Sequence, residues 1–264
     1  MKTLCKSIGI ALMASLLPFS AATAQEGVSS IEEITVTARK RDESLEEVPI
    51  AITAFTEQTI EKAGIERPAD FIGLMPNVTI VDTANVGDTQ VSIRGIVSTR
   101  DAESTFAYVV DGVLSTNPNS FNEELVDIQQ IEVLKGPQGA LYGRNAVAGA
   151  VLVTTREPGD EFEGSVQLGV GDPEAFKAAA RIGGPLSDTF RGTLTASYRD
   201  FEGHYRNTFT NQKGVVDYLE DTTVRARGIW EPSDALKVDA RSGHSGVNGG
   251  AINVIAAFAF PAVA

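Results

Sequence analysis

Residues 190–199 read FRGTLTASYR, and apolar and polar side chains alternate along this stretch. Successive side chains of a β-strand point to opposite faces, so a strand formed here would have one apolar and one polar face. The apolar face would carry Phe190, Leu194, Ala196 and Tyr198, and the polar face would carry Arg191, Thr193, Thr195, Ser197 and Arg199. The pattern predicts a strand that lies between two chemically different surroundings.

The same period of two recurs in four other segments between residues 162 and 244. They are 166–170, 176–182, 224–230 and 236–241, with Ile229 as an apolar interruption of one polar row. Each predicted strand is about as long as a tilted strand that crosses a bilayer. We therefore predict a run of five antiparallel strands.

Two kinds of sheet alternate in this way, a transmembrane barrel and a soluble β-domain with one wet face. The polar face is rich in Arg, Lys and Thr, as a wet lumen would be. Short connections at 183–188 and 231–234 flank a long one at 202–219, although the first connection, 171–175, is short where a long loop is expected. Aromatic residues lie near the strand ends, as in an interfacial girdle: Phe162, Phe176, Phe190, Phe201 and Trp230. These details favour the barrel, and the soluble domain remains the alternative.

The region from Val48 to Pro158 has a mixed α/β pattern. A strand at 49–55 is followed by a helix over 57–63, which Thr56 can cap and Gly64 can end. Pro68 suits the first turn of a second helix. Further short strands are predicted at 78–81, 90–94, 107–110, 128–134 and 150–155.

The two N-terminal segments precede this region. Residues 1–24 have a basic start, an apolar stretch from Ile8 to Phe19 and a small-residue cleavage site, which together predict an export signal. Residues 25–47 are polar and charged and predict a mobile tether. Within the tether, Ile34–Ala38 is mostly β-branched, and it is either an edge strand of the next domain or a strand offered to a partner's sheet.

Composition and motifs exclude several classes of function. The formal net charge of -13 argues against a nucleic-acid partner, because phosphate backbones require Lys and Arg patches. Cys5, within the predicted signal, is the only cysteine, so neither disulfides nor thiolate chemistry are expected after export. No catalytic, cofactor-binding or metal-binding motif is present, and we expect neither an enzyme nor a bound cofactor.

Five motifs, in order along the chain, resemble the TonB-dependent outer-membrane receptor family. The most informative is Ile131–Val151 (IEVLKGPQGALYGRNAVAGAV), which resembles the signature near the end of that family's plug domain. The other four are Glu33–Ala38 (EITVTA, the TonB box), Val48–Thr53 (VPIAIT), Val91–Gly95 (VSIRG) and Tyr108–Val113 (YVVDGV).

The resemblance implies an α+β plug domain followed by the first antiparallel strands of an incomplete transmembrane β-barrel. The expected domains are a signal peptide at 1–24, a flexible tether with the TonB box at 25–47, the plug at 48–158 and about five barrel strands at 162–264. Because plugged transporter barrels have about 22 strands, we expect an N-terminal fragment of a longer receptor. Its expected function is TonB-energised uptake of a scarce solute, such as an iron chelate, cobalamin or a carbohydrate. The alternative is a soluble periplasmic binding module built on a plug-like domain.

The resemblance also assigns partners and site residues. The expected partners are TonB with its inner-membrane complex, outer-membrane lipid and a small-molecule ligand, with the plug and tether facing the periplasm. The residues expected to pair with TonB are Glu33, Ile34, Thr35, Val36, Thr37 and Ala38. Arg94 and Arg144 resemble plug arginines that face carboxylates on the barrel wall, whose positions are expected mostly beyond residue 264.

Overall fold

A computed structural model describes residues 34–82, 89–99, 102–116, 118–172, 174–207, 211–215 and 217–250. The predicted signal peptide at 1–24, Glu33 and the apolar segment at 251–264 lie outside the described residues. None of the helices found in the described ranges has the length and apolar character needed to span a membrane.

Before residue 156 the described elements are short strands and short helices. After residue 156 they are long strands. The strands of the first part are β1 (Thr35–Val36), β2 (Glu43–Ser44), β3 (Ala51–Thr56), β4 (Val78–Asp82), β5 (Thr89–Ile93), β6 (Ile96–Val97), β7 (Phe106–Val110), β8 (Val113–Ser115), β9 (Ile128–Lys135) and β10 (Gly149–Thr155). The helices are α1 (Glu57–Ala63), α2 (Pro68–Gly73) and α3 (Gly139–Tyr142), with a 3-10 turn at Pro118–Asn122. The long strands are β11 (Glu163–Gly171), β12 (Ala175–Ser187), β13 (Phe190–Phe201), β14 (Leu219–Ser233) and β15 (Leu236–Gly249).

The N-terminal domain, residues 51–155, is built on a five-stranded sheet in the order β3-β9-β10-β7-β8. β10 runs parallel to β7, and the other neighbours are antiparallel. One apolar cluster includes helix residues such as Phe71 together with Ile131 and Val133 of β9, and the ring of Phe121 lies 4.8 Å from that of Phe106. A second cluster includes Leu134 of the same strand, so β9 is covered on both faces.

Helix α1 has the bounds that its sequence predicts. The hydroxyl of Thr56 accepts a hydrogen bond from the amide of Thr59 at 3.4 Å, and Gly64 ends the helix with φ 64°. The amide of Gly64 donates to the carbonyl of Glu61, which satisfies one of the carbonyls left free at a helix end.

Substituting Gly64 by Ala is expected to lower the free energy of unfolding by about 1–2 kcal/mol, because a side chain disfavours left-handed backbone. No atom lies within 4 Å of the position of an added Cβ, so the effect is one of backbone conformation alone. Gly73→Ala is the matched control, since Gly73 also has open space around it and lacks a positive φ. Chemical denaturation should show a loss only for Gly64→Ala, and equal stability of the two variants would contradict the assignment.

The long sheet, β11–β15, is antiparallel throughout and runs in chain order. Its polar side chains pack against the N-terminal domain, and Thr195 and Ser197 are only 5% and 6% exposed. Its apolar side chains point away, and Ile182 and Leu194 on the central strands are 47% and 50% exposed. A water-soluble sheet buries its apolar face, so this sheet has the opposite polarity. The predicted alternation is confirmed, and Ile229 is buried on the polar side as the interruption implies.

Candidate coupling segment and interdomain ion-pair surface

Residues 34–45 form a hairpin, here called the box hairpin, that is docked on the N-terminal domain. β1 pairs with β2 through Thr35 with Ser44 and Val36 with Glu43. Val36 and Ala38 have no exposed surface, and Ala38 belongs to the apolar cluster that covers the second face of β9. The predicted strand at 34–38 therefore forms, over a shorter length.

Three side chains of the N-terminal domain bond to the backbone of the hairpin. The carboxylate of Glu132 accepts from the amide and the hydroxyl of Thr37, at 2.8 and 3.0 Å. The side-chain amide of Gln130 donates to the carbonyl of Thr35 at 2.9 Å. The hydroxyl of Tyr142 donates to the carbonyl of Ala38 at 2.7 Å.

The carboxylate of Glu132 lies in an environment that disfavours its charge. Burial raises the pKa of Glu132 above its usual range, and the hydrogen bonds from Thr37 oppose that shift. Burial and the neighbouring Glu132 together raise the pKa of Tyr142 to about 12, so its hydroxyl is a donor at neutral pH. The ammonium of Lys40 lies 5.9 Å from the centre of the Tyr142 ring, within range of a cation–π interaction.

The charged stretch after the hairpin strand is folded, whereas its composition predicts slack. Glu43 is the reason, because it pairs in β2 and also accepts ion pairs from Arg39 at 3.3 Å and Arg41 at 2.5 Å. Three of the charges that suggested a solvated tether, those of Arg39, Arg41 and Glu43, are thus paired within the hairpin. A mobile tether stays a prediction for a state in which the hairpin is undocked.

A second set of polar contacts joins the N-terminal domain to the long sheet. The domain supplies carboxylates and the sheet supplies cations. The pairs, with their nitrogen–oxygen distances, are Glu66–Lys177 at 2.8 Å, Glu124–Lys177 at 3.0 Å, Asp127–Arg181 at 2.7 Å, Glu124–Arg199 at 3.3 Å, Glu123–Arg225 at 3.4 Å and Glu157–Arg227 at 2.8 Å.

Glu124 is the most enclosed carboxylate of this surface. Its side chain is 1% exposed, and besides Lys177 and Arg199 it lies 3.9 Å from the guanidinium of Arg67. Burial and the nearby Arg199 lower the pKa of Arg67, and the charge of Glu124 opposes that shift. Burial raises the pKa of the neighbouring Glu123, and the charge of Arg225 opposes that rise. Glu124 is thus enclosed between the domain and the sheet.

Arginines of the long sheet also bond to backbone carbonyls of the domain. Arg227 donates to the carbonyl of Thr155 at 3.0 Å, and Arg241 donates to that of Asp111 at 2.6 Å. The carboxylate of Asp111 is held in turn by the amide and hydroxyl of Thr155, both at 2.8 Å. Guanidinium groups carry several donors in a fixed plane, which suits such shared contacts.

Comparison with known proteins identifies the N-terminal domain. Residues 44–150 match the family model described as the TonB-dependent receptor plug domain. Residues 44–150 are thus a plug domain of the TonB-dependent receptor family. The N-terminal domain is accordingly the plug domain, and the long sheet consists of strands of an unclosed barrel.

Curated relatives and solved structures agree with this family. The pesticin receptor of Yersinia enterocolitica is 28% identical over 182 residues, which are 68% of this chain and 27% of the relative. The vitamin B12 transporter of Vibrio vulnificus is 36% identical over 173 residues, which are 63% of this chain and 27% of the relative. The crystal structure of the ferric yersiniabactin uptake receptor of Yersinia pestis has the same fold, with a TM-score of 0.70 at 22% identity over 75% of this chain and 32% of that one.

The comparisons also give the cellular location of the chain and the share of its relatives that it covers. The chain spans about a quarter of the length of the curated relatives it matches. It is a protein of the outer membrane, with the plug domain facing the periplasm. The relatives just named are receptors and transporters rather than enzymes, as the sequence predicts.

Arg94 and Arg144 lie on the plug domain next to other residues of that domain. Arg144 pairs with Glu103 at 3.4 Å, and both side chains are more than half exposed. Arg94 lies in the turn between β5 and β6 with φ 52°, and its guanidinium lies 3.2 Å from the position that a Cβ at Gly136 would occupy. Burial and the charge of Arg94 lower the pKa of Lys135. That both arginines face carboxylates on the barrel wall stays a prediction.

Sequence reasoning did not find the carboxylates that bond to the barrel strands. The sequence showed that the polar face of the long strands is rich in Arg, Lys and Thr. The cations of the plug–barrel contact were nevertheless predicted on the plug, at Arg94 and Arg144. Two acidic neighbours in the sequence, Glu123 and Glu124, directly before β9, were the available signal. Within the described ranges, no group of three or more His, Cys, Asp or Glu residues could hold a metal ion.

Proposed function

We propose that this chain is the plug-bearing N-terminal part of an outer-membrane receptor that takes up a scarce solute with energy supplied through TonB. The observation that carries the proposal is the polarity of the long sheet, which turns apolar side chains outward and polar ones onto the plug domain. A barrel wall between lipid and a plugged lumen requires this arrangement. The proposal includes a signal peptide at 1–24, a tether at 25–47, the plug at 48–158 and barrel strands from 162.

The proposed TonB-binding residues are Glu33, Ile34, Thr35, Val36, Thr37 and Ala38. An extended segment can add to the edge of a partner's sheet through its backbone N–H and C=O groups, and β-branched residues favour the extended state. The formation of β1 within this segment supports its ability to act as a strand. TonB would supply the work from the inner membrane, and no catalytic step is assigned to this chain.

The ligand is proposed only as a class. The relatives are named for pesticin, vitamin B12 and ferric yersiniabactin, so an iron chelate or cobalamin suits the proposal, and a carbohydrate or similar solute is also compatible with it. A metal carried in such a chelate would be cargo of the receptor.

Replacing Val36 by Pro is expected to weaken binding of the C-terminal region of TonB by about tenfold or more, because proline lacks the N–H needed for strand pairing. Val36 is buried in the docked hairpin, so the substitution also loosens docking and makes the segment more accessible. Weaker binding would therefore reflect the lost strand pairing rather than concealment.

The measurement is the Kd of TonB for the complete protein in outer-membrane vesicles. Thr35→Val is the control, because Thr35 is exposed and the change leaves the backbone donor in place. Equal affinity of wild type and Val36→Pro would contradict the assignment of the box. Recovery of the protein in the soluble periplasmic fraction, rather than with outer membranes, would instead favour the binding-module alternative.

A further inference from the structure

We propose that Glu132, together with Tyr142, is a latch that holds the box hairpin on the plug domain and sets how often the hairpin is free for TonB. The inference deepens the proposed function and rests on it for the identity of the partner. The latch itself can be measured without TonB. Its residues act by positioning the hairpin, and none of them belongs to the proposed TonB-binding segment.

The latch uses backbone groups that strand addition would also need. The carboxylate of Glu132 accepts a hydrogen bond from the amide of Thr37. The side chains of Gln130 and Tyr142 donate hydrogen bonds to the carbonyls of Thr35 and Ala38, respectively. The carbonyl of Ile34 is taken by the amide of Leu45 within the hairpin. A sheet edge that bound this segment would have to replace these partners, so docking and strand addition exclude each other.

The hairpin depends on the latch because its own pairing is small. Only two residue pairs join β1 to β2, and an isolated two-stranded hairpin is marginal in water. The hairpin is also attached by the burial of Val36 and Ala38, by the three side-chain contacts just described and by the contact of Lys40 with the ring of Tyr142. Removal of one contact should therefore undock the hairpin more often without unfolding the plug.

The latch residues all belong to one stretch of the plug domain. Gln130 and Glu132 lie on β9, the strand that pairs with both β3 and β10, and Tyr142 ends α3 in the connection between β9 and β10. A displacement of β9 would move Gln130 and Glu132 together, and a displacement of this connection would move Tyr142. The signature segment 131–151 contains both latch residues, Glu132 and Tyr142.

The experiment measures the reaction of a maleimide with a cysteine at position 36 in the complete protein in outer membranes, with no TonB present. Cys5 lies in the predicted signal peptide, so Val36→Cys provides the only thiol within residues 25–264, and any cysteine of the complete protein beyond them is replaced by Ser. Because Val36 has no exposed surface in the docked hairpin, the labelling rate reports undocking. Tyr142→Phe removes one donor and is expected to raise the rate about two- to tenfold.

Glu132→Ala removes the acceptor of two bonds and is expected to raise the rate by about tenfold or more. Glu132→Gln keeps an acceptor oxygen for Thr37 and should remain within about threefold of wild type. Val133→Cys is the internal control, because Val133 is buried on the face of β9 opposite to Glu132. Its labelling should stay slow in every variant.

Unchanged labelling at position 36 in both Tyr142→Phe and Glu132→Ala would overturn the latch. Faster labelling at position 133 as well would also overturn it, because the substitutions would then loosen the plug as a whole. With the latch correct, the affinity for the TonB C-terminal region should rise in the same order as the labelling rates. If the labelling rates rise while TonB affinity is constant, the latch stands and the TonB assignment of the box fails.

Discussion

Replacing Glu124 by Ala is expected to lower the free energy of unfolding by about 3–5 kcal/mol, the usual effect of removing one partner of a buried ion pair. The side chain is almost fully buried, and its loss leaves Lys177, Arg199 and Arg67 enclosed without this counter-charge. Glu66 also pairs with Lys177 and Arg199, so we expect the lower part of this range. The plug domain should separate from the barrel strands at lower denaturant concentration.

The measurement is a denaturant titration of the complete protein in detergent, followed by tryptophan fluorescence, to which Trp230 contributes from the barrel strands. Glu103→Ala is the matched control, because Glu103 forms an ion pair with Arg144 in which both side chains are mostly exposed. Such exposed pairs contribute about 0–1 kcal/mol. If the two variants were equally stable, Glu124 would not be central to the plug–barrel contact.

Replacing Leu194 by Arg is expected to lower the free energy of unfolding by about 2–4 kcal/mol, the cost of a cation on the lipid face of a barrel near the middle of the bilayer. Leu194 lies near the centre of β13, points away from the plug and is half exposed. It is paired with Ile182 on one side and Ala226 on the other, so the surroundings of the new cation are apolar.

The same substitution distinguishes the membrane barrel from a soluble sheet. On a surface in water an exposed Leu to Arg change is worth about 0.5 kcal/mol or less. Asp188→Arg, in the exposed turn between β12 and β13, is the control and should have little effect in either case. Folding into lipid vesicles, measured as a function of urea, gives the comparison, and a neutral Leu194→Arg would contradict the transmembrane assignment.

Several elements follow from local sequence alone. Helix α1 begins and ends where Thr56 and Gly64 place it, because a side-chain cap and a left-handed glycine act over only a few residues. The long strands follow from alternation, since a period of two needs no knowledge of the partner strand. The sequence predicted strand β1 but not its partner β2, because a charged segment such as 42–47 forms a strand only when its partner strand is present.

The charges of the plug–barrel contact could not be predicted in the same way. Arg181 and Asp127 are 54 positions apart in the chain, yet they form a 2.7 Å ion pair. Nothing near either residue indicates its partner, since a lumen-facing Arg is equally compatible with water, a neighbouring strand or a plug carboxylate. The resemblance directed attention to Arg94 and Arg144, which lie elsewhere on the plug surface.

The sequence by itself determined the order of the parts, the family and the two-faced character of the long strands, because capping, turn formation and alternation are properties of neighbouring residues. Only the tertiary structure decided that Glu132, Gln130 and Tyr142 hold the box hairpin, and that acids of the plug bond to cations of the barrel strands. Those contacts join residues that are close only after the chain has folded, and hydrogen bonds and ion pairs depend on distances of a few ångströms that no local pattern encodes.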